Sequence, residues 1–329
     1  MINVKSITTS LTNTKFKRYS LIAIGSIALG VGAGFAGAKI LKPTVTEVVM
    51  NENNSLVVTE GYLKLARTAY DTAVKNGDPL ETALTPDQMM NLAYDMLGNL
   101  ESSKAIGIGV SNAMNITSQE IQSCAIKNGD EYFEESNSLG IVSIHNRMYQ
   151  SGDTTTTYWG EKDDYENHPK KEMTNEEYSS MMGRKISEGL VYVVLPSTIA
   201  KENVNTPGYE NAPTGIYKED NGYRIEIEMD VKATSSGTSY MPGVYRYQKQ
   251  MKNISNLSSF PNFTYCHLTA MVDKDLKLVS MKNVESYTAT MASVPFPATC
   301  KAELTTYYFT DQEYKIPDLT EKIDYSIAK

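Results

Sequence analysis

Three histidines, three cysteines and a large set of carboxylates are the residues of this chain able to do polar chemistry. His145, His168 and His267 have no metal-ligand spacing: no H-E-x-x-H pair on a helix, no second histidine one turn away. Cys266 and His267 are adjacent, so on a strand they project to opposite faces, the wrong geometry for a thiolate–imidazole pair. No G-x-S-x-G elbow, phosphate-binding loop or dinucleotide fingerprint occurs. His168 lies beside Pro169 in a charged loop, while His145 and His267 read as surface or half-buried mid-strand residues. Asp273 and Asp275 alternate in a turn and lack the other ligands of a calcium loop, so turn chemistry is the preferred reading. The expectation is no metal, no cofactor and no enzyme, with a surface hydrolase using an unrecognised site as an outside alternative.

Cys124, Cys266 and Cys300 are too few for a disulfide framework. Either one bridge forms, with Cys266–Cys300 the favoured pair, or all three are buried free thiols. An odd count leaves at least one thiol unpaired.

Location constrains function more than any side chain. Tyr19 to Ala38 is an uncharged run of twenty residues, long enough as a helix to cross a hydrocarbon core of about 30 Å. Lys5, Lys15, Lys17 and Arg18 precede it, and only Lys39 and Lys42 flank its far end. That bias puts the N-terminus in the cytoplasm and the bulk of the chain outside the membrane. Ala36-Gly37-Ala38 also fits a signal-peptide cleavage site, but the apolar run exceeds the usual length of such a signal, which favours a retained anchor. Gly30 and Gly34 have the spacing of a helix-dimer face, or simply fill a weakly apolar segment. All 39 acidic residues lie beyond residue 42, so the remainder is strongly acidic, which argues against nucleic acid and against electrostatic attachment to anionic lipid. The division expected is a leader at 1–18, an anchor at 19–41, a tether at 42–59, one extracytoplasmic domain at 60–312 and a tail at 313–329.

Within that domain, apolar residues from Leu63 to Val74 recur at helical spacing, and Asn76-Gly77 ends the helix. Thr85, Pro86 and Gln88 form a capping box that opens a second helix, with Met89, Ala93, Met96 and Leu97 on one stripe. Strands are expected at 105–114, 116–127, 130–136, 141–150 and 154–159, with Asn128-Gly129 and Ser151-Gly152-Asp153 as hairpin turns. Ile106, Ile108 and Val110 share one face of the first strand, and Ala105, Gly107 and Gly109 the other. Glu161 to Lys171 reads as a solvated loop, Thr174 to Ile186 as a helix, and Leu190 to Leu195 as a strand covered on both sides. From Tyr223 to Val231 apolar residues alternate with Arg224, Glu226, Glu228 and Asp230, so one face is expected buried and the other wet. Val244 to Leu257 is a further amphipathic helix. Phe263–Val272, Leu276–Met291 and Cys300–Phe309 complete a second meander.

Two helices followed by strands with tips Lys127-Asn128-Gly129-Asp130-Glu131-Tyr132-Phe133, Tyr149-Gln150-Ser151-Gly152-Asp153-Thr154, Tyr217-Lys218-Glu219-Asp220-Asn221-Gly222-Tyr223 and Met271-Val272-Asp273-Lys274-Asp275-Leu276 resemble the LolA-like group of lipoprotein carriers. The resemblance covers about residues 60–312 and rests on element order and turn phrasing. It implies a curved antiparallel sheet forming an open half-barrel, covered by amphipathic helices, with acyl chains between the two layers; the expected fold class is thus α+β, preceded by the transmembrane helix, an anchor in which this chain departs from that group. No functional residue of that group is matched here, and no lipid-attachment cysteine follows the apolar run.

The functional expectation is a membrane-tethered domain that holds a lipid or other apolar ligand. Its lining is expected from Ile106, Ile108, Val110, Val191, Val193, Ile225, Ile227 and Met229 of the strands, with Met89, Met96 and Met181 from the helices. The sixteen methionines suit an adaptable cavity, although any single one is more often plain core. The alternative is a sensor or structural module of the cell envelope with a filled core and a protein partner.

Overall fold

The computed structural model describes residues 49–50, 56–57, 60–98, 102–113, 116–127, 130–138, 143–151, 154–161, 170–174, 199–200, 211–231, 262–290 and 298–309. The expected anchor at 19–41, the tail, the helix at 174–186 beyond Thr174, the helix at 244–257 and the strand at 190–195 lie outside these residues. No helix among the described residues is long and apolar enough to cross a membrane.

β1 (Val49–Met50) and β2 (Leu56–Val57) form a short antiparallel pair. Three helices follow: α1 (Glu60–Asn76), α2 (Leu80–Ala83) and α3 (Pro86–Gly98). The Asn76-Gly77 stop is present, with Gly77 at φ +73°. α3 opens as its capping residues require, the backbone N–H of Thr85 donating to Gln88 Oε1 at 3.0 Å. α2 carries no sequence signal of its own beyond the break at Pro79.

The strands are β3 (Ser102–Ala113), β4 (Ile116–Lys127), β5 (Asp130–Ser138), β6 (Ser143–Ser151), β7 (Thr154–Glu161), β8 (Lys170–Thr174), β9 (Gly215–Glu219), β10 (Gly222–Glu228), β11 (Asn262–Asp273), β12 (Leu278–Ala289) and β13 (Ala298–Phe309). They form one open antiparallel sheet in the order β8-β7-β6-β5-β4-β3-β13-β12-β11-β10-β9. Both expected meanders are in it, and β13 joins them by pairing with β3. β8 occupies residues expected at the boundary of a charged loop and a helix. Lys170 to Thr174 pairs with Tyr158 to Thr154, so the sheet extends further than local polarity suggests.

Directly paired residues of an antiparallel ladder share a face, so the register sorts the side chains. On one face stand Ile225, Ala270, Met281, Thr306 and Gly107, then Ile227, Leu268, Asn283, Leu304 and Gly109. The helices pack here, α2 on β9 and α3 on β10 and β12. Met89, Met90, Ala93, Leu92 and Leu97 of α3 join Ala66 and Ala73 of α1 with Ile225, Ile227, Leu268, Ala270 and Met281 in one buried cluster. Burying each of the large side chains stabilises the fold by about 1.5–3 kcal/mol.

The β10–β9 hairpin sets how β10 meets β11. Gly222 pairs with Asp273 and sits at φ +156°, where an added Cβ would lie 2.0 Å from the carbonyl oxygen of Val272. Backbone cannot yield as a side chain does. Gly222→Ala is therefore expected to cost at least about 2 kcal/mol, read as a lowered urea midpoint, and an unchanged midpoint would contradict this packing.

Candidate functional site

The two faces of the sheet carry different chemistry. On the helix face the buried cluster reaches β3 at Ala105, and β3 continues with Gly107, Gly109 and Ser111, all buried. Ala302 stands beside Ser111 on β13. This strip of small residues is a low floor next to the bulky core of β10–β12. Its lower end is polar. The Cys266 thiol donates to Asn283 Oδ1 at 3.8 Å, and Asn283 Nδ2 donates to Glu285 Oε2 at 3.0 Å. Glu285 is only 1% exposed.

The expected ligand-lining residues divide between these faces. Ile225, Ile227, Met229 and Met89 lie in the helix-face cluster. Met96 is exposed on α3. Ile106, Ile108 and Val110 pair with Tyr307, Thr305 and Glu303, which puts them on the far face, where Val110 is 45% exposed. The sequence pattern had the two faces of β3 correctly separated, but it is the Gly107–Gly109 side that meets the core. Met181, Val191 and Val193 lie outside the described residues.

Cys266 and Cys300 are both free and buried, so of the two alternatives left open it is buried thiols and not a bridge that these two cysteines adopt. β12 runs between their strands. Two strand spacings, about 9–10 Å, exceed the reach of a disulfide. Burial raises both thiols, Cys300 to about 11, so neither is a ready nucleophile. Cys124 sits on β4 opposite Ala105 and Phe133.

On the far face, the expectation of a wet side to β10 fails. Glu226 and Glu228 are 5% and 8% exposed, and His267 on β11 is 1% exposed. The reason is local compensation. Glu226 Oε2 accepts from His267 Nε2 at 2.8 Å and from Thr269 Oγ1 at 2.6 Å, while Oε1 accepts from Arg224. Arg224 also donates to Glu219 Oε1 at 2.9 Å and lies over the Tyr217 ring, 4.4 Å from its centroid. The ring of Tyr265 stacks parallel to that of His267 at 6.3 Å. Burial alone would raise the Glu226 pKa, but the hydrogen bonds from His267, Thr269 and Arg224 outweigh it and hold the carboxyl below its ordinary 4.5. Cys266 and His267 do point to opposite faces, the thiol into the helix-face cluster and the imidazole to Glu226.

This constellation is what the sequence reading missed. Its one local trace is the spacing of two between Arg224, Glu226 and Glu228 and between His267 and Thr269. The chain separates the two strands by more than thirty residues, and no local signal sets their register. His145 is placed on β6 between Ser136 and Gly160, and His168 is outside the described residues. Asp273 behaves as a turn residue, its Oδ1 accepting from the backbone N–H of Asp275 and Lys277 at 2.9 and 2.8 Å. No group of three metal-ligating side chains occurs among the described residues.

No protein-family model and no curated protein matches the chain. Among solved structures it is similar to a DUF1329 family protein from Desulfovibrio piger, at 9% identity over 69% of this chain and 93% of that one, with a TM-score of 0.24. It is also similar to GphF dehydratase 1, at 8% identity over 66% of this chain and 81% of that one, with a TM-score of 0.12. Scores this low carry no argument about function.

Two carboxyls make opposite contributions to stability as pH changes. Asp87, at the first turn of α3, is 3% exposed, and burial pushes its pKa from 3.8 up to about 6 against hydrogen bonds from its own backbone N–H and that of Gln88. Its contribution is present below pH 3.8 and is lost as pH rises through about 6. Asp87→Asn is therefore expected to be more stable than the parent by about 1–2 kcal/mol at pH 7.5 and no more stable at pH 4, by denaturant titration. Glu226 has the reverse sign: its contribution is present above 4.5 and is lost as pH falls through its lower folded value. Glu226→Gln is expected to cost about 3 kcal/mol at pH 7, with the deficit shrinking in strong acid. A deficit independent of pH would contradict the ionised state of Glu226.

Proposed function

We propose that the chain is a membrane-tethered extracytoplasmic module that holds a lipid or other apolar ligand between the helices and the sheet, on a curved half-barrel of the LolA-like kind. Residues 19–41 serve as the anchor, with residues 1–18 in the cytoplasm and the sheet on the other side. The observation that carries this reading is the strip Ala105, Gly107, Gly109 and Ser111, which faces the helix side and is buried there. Glycines without side chains weaken a strand and recur where another group must approach the backbone closely. An acyl chain laid along this floor would have Met281, Leu304 and Tyr308 beside it, all of them buried. The lining therefore differs from the one the sequence suggests: Gly107 and Gly109 take the place of Ile106, Ile108 and Val110.

A second reading has its own support. Met89, Met90, Ile225, Ile227 and Ala270 are at most 1% exposed, so the contact of α3 with β10 and β11 is filled. A sensor or structural module of the cell envelope, with a packed core and a protein partner, needs nothing more. The two readings part at β3. Full-length protein purified in mild detergent is expected to carry an apolar ligand by native mass spectrometry and to bind a fluorescent fatty acid. Gly109→Leu should weaken that binding at least tenfold with an unchanged circular dichroism spectrum. A parent protein that carries nothing and ignores the probe supports the packed-core reading instead.

A further inference from the structure

A carboxylate on the short helix α2 has tyrosines beside it and an oxygen with no partner. Leu80 and Leu84, four residues apart, are both buried and turn α2 into the core. Glu81 follows Leu80, on the helix that packs against both α1 and β9. Its Oε2 is buried and makes no hydrogen bond. An ionised carboxylate only accepts, and an acceptor buried without a donor is costly.

Two tyrosines reach the same place from different elements. Tyr70 lies on α1 four residues after Ala66 and three before Ala73, so it shares their inward face. Both alanines belong to the helix-face core. Tyr223 stands on β10 two residues before Ile225, hence on the helix face of the sheet, opposite Lys218 of β9 and Val272 of β11. Both tyrosines pack against the core cluster from outside and stay half exposed, as Glu81 does. Burial raises the Tyr223 phenol above its ordinary 10.0, and the neighbouring Glu81 and Tyr70 raise it further. The three side chains thus form one cluster that is open to solvent and needs no closed cavity.

The group such a cluster suits is a cation that carries an N–H. Aromatic ring faces attract positive charge, and a carboxylate adds a charge-assisted hydrogen bond. Lys218, opposite Tyr223, is exposed and does not satisfy Glu81 Oε2. A quaternary ammonium would meet the rings but bring no donor to that oxygen. An anion would be repelled by it.

We propose that Glu81, Tyr70 and Tyr223 form a binding site for a small primary alkylammonium ligand, whose ammonium N–H donates to Glu81 Oε2 and whose first methylenes rest against the two rings. The site borders β10, four strands along the sheet from β3, and does not depend on the apolar-ligand reading.

The test is a titration of full-length protein in mild detergent with n-butylammonium, followed by NMR of ring-labelled tyrosine. Saturable shifts of the Tyr70 and Tyr223 resonances are expected. At equal ionic strength n-butyltrimethylammonium should bind at least about tenfold more weakly. Glu81→Gln keeps the size of the side chain and removes its charge, and should cost a similar factor with an unchanged melting midpoint. Tyr223→Leu removes one ring and should weaken binding about two- to fivefold. A parent without saturable shifts, a trimethyl analogue that binds as tightly, or variants that bind like the parent would each overturn the proposal. So would binding seen only after Lys218→Ala, since the chain's own lysine would then be the occupant. Should Glu81→Gln fail to fold, the comparison of the two ammonium ions on the parent protein decides alone.

Discussion

The constraint on which this molecule depends is the register between β10 and β11. Ile225 opposite Ala270 and Ile227 opposite Leu268 turn one side of the pair toward α3, and the same register places Glu226 opposite Thr269 and Glu228 opposite His267. A slip of one residue would send the isoleucines to the far face and the carboxylates into the helix-side core. Such a slip costs several kcal/mol for each buried charge left without its partners. The register is thus held from both sides, by apolar burial on one and by a compensated ionic network on the other.

The two sides differ in how much change they tolerate. Exchanges among Met, Leu and Ile on the helix side conserve volume and cost little. The far side is less forgiving, because Glu226 is buried and its charge is stabilised only by donors on specific residues of two strands. Removing one donor leaves a charge that burial penalises. Arg224 links this network to the edge strand through Glu219 and the Tyr217 ring, so β9 is secured to β10 by side chains as well as by its ladder.

Much of the fold was legible along the chain because its signals are local. The capping box at Thr85 and Gln88, the stop at Asn76-Gly77, the hairpins and the period of two from Tyr223 onward each depend on neighbours a few residues apart. What could not be read was pairing between distant segments. Period two in β10 separates two classes of residue but does not say that the charged class is wet. His267, more than thirty residues later, makes its burial affordable. In β3 the separation of Ile106, Ile108 and Val110 from Gly107 and Gly109 was evident, whereas the face that meets the helices is fixed by β13, nearly two hundred residues away. The choice between a Cys266–Cys300 bridge and free thiols stayed open for the same reason, since nothing local shows that β12 comes between them.

The apolar ligand proposed for the floor made by β3 and β13 is tested most directly with a photoactivatable fatty acid. After irradiation of the full-length protein with a diazirine-bearing acyl chain and peptide mapping, adducts are expected on helix-face positions such as Ala105, Leu304 and Tyr308. Labelling confined to far-face positions such as Val110 and Tyr307, or absent altogether, would contradict it.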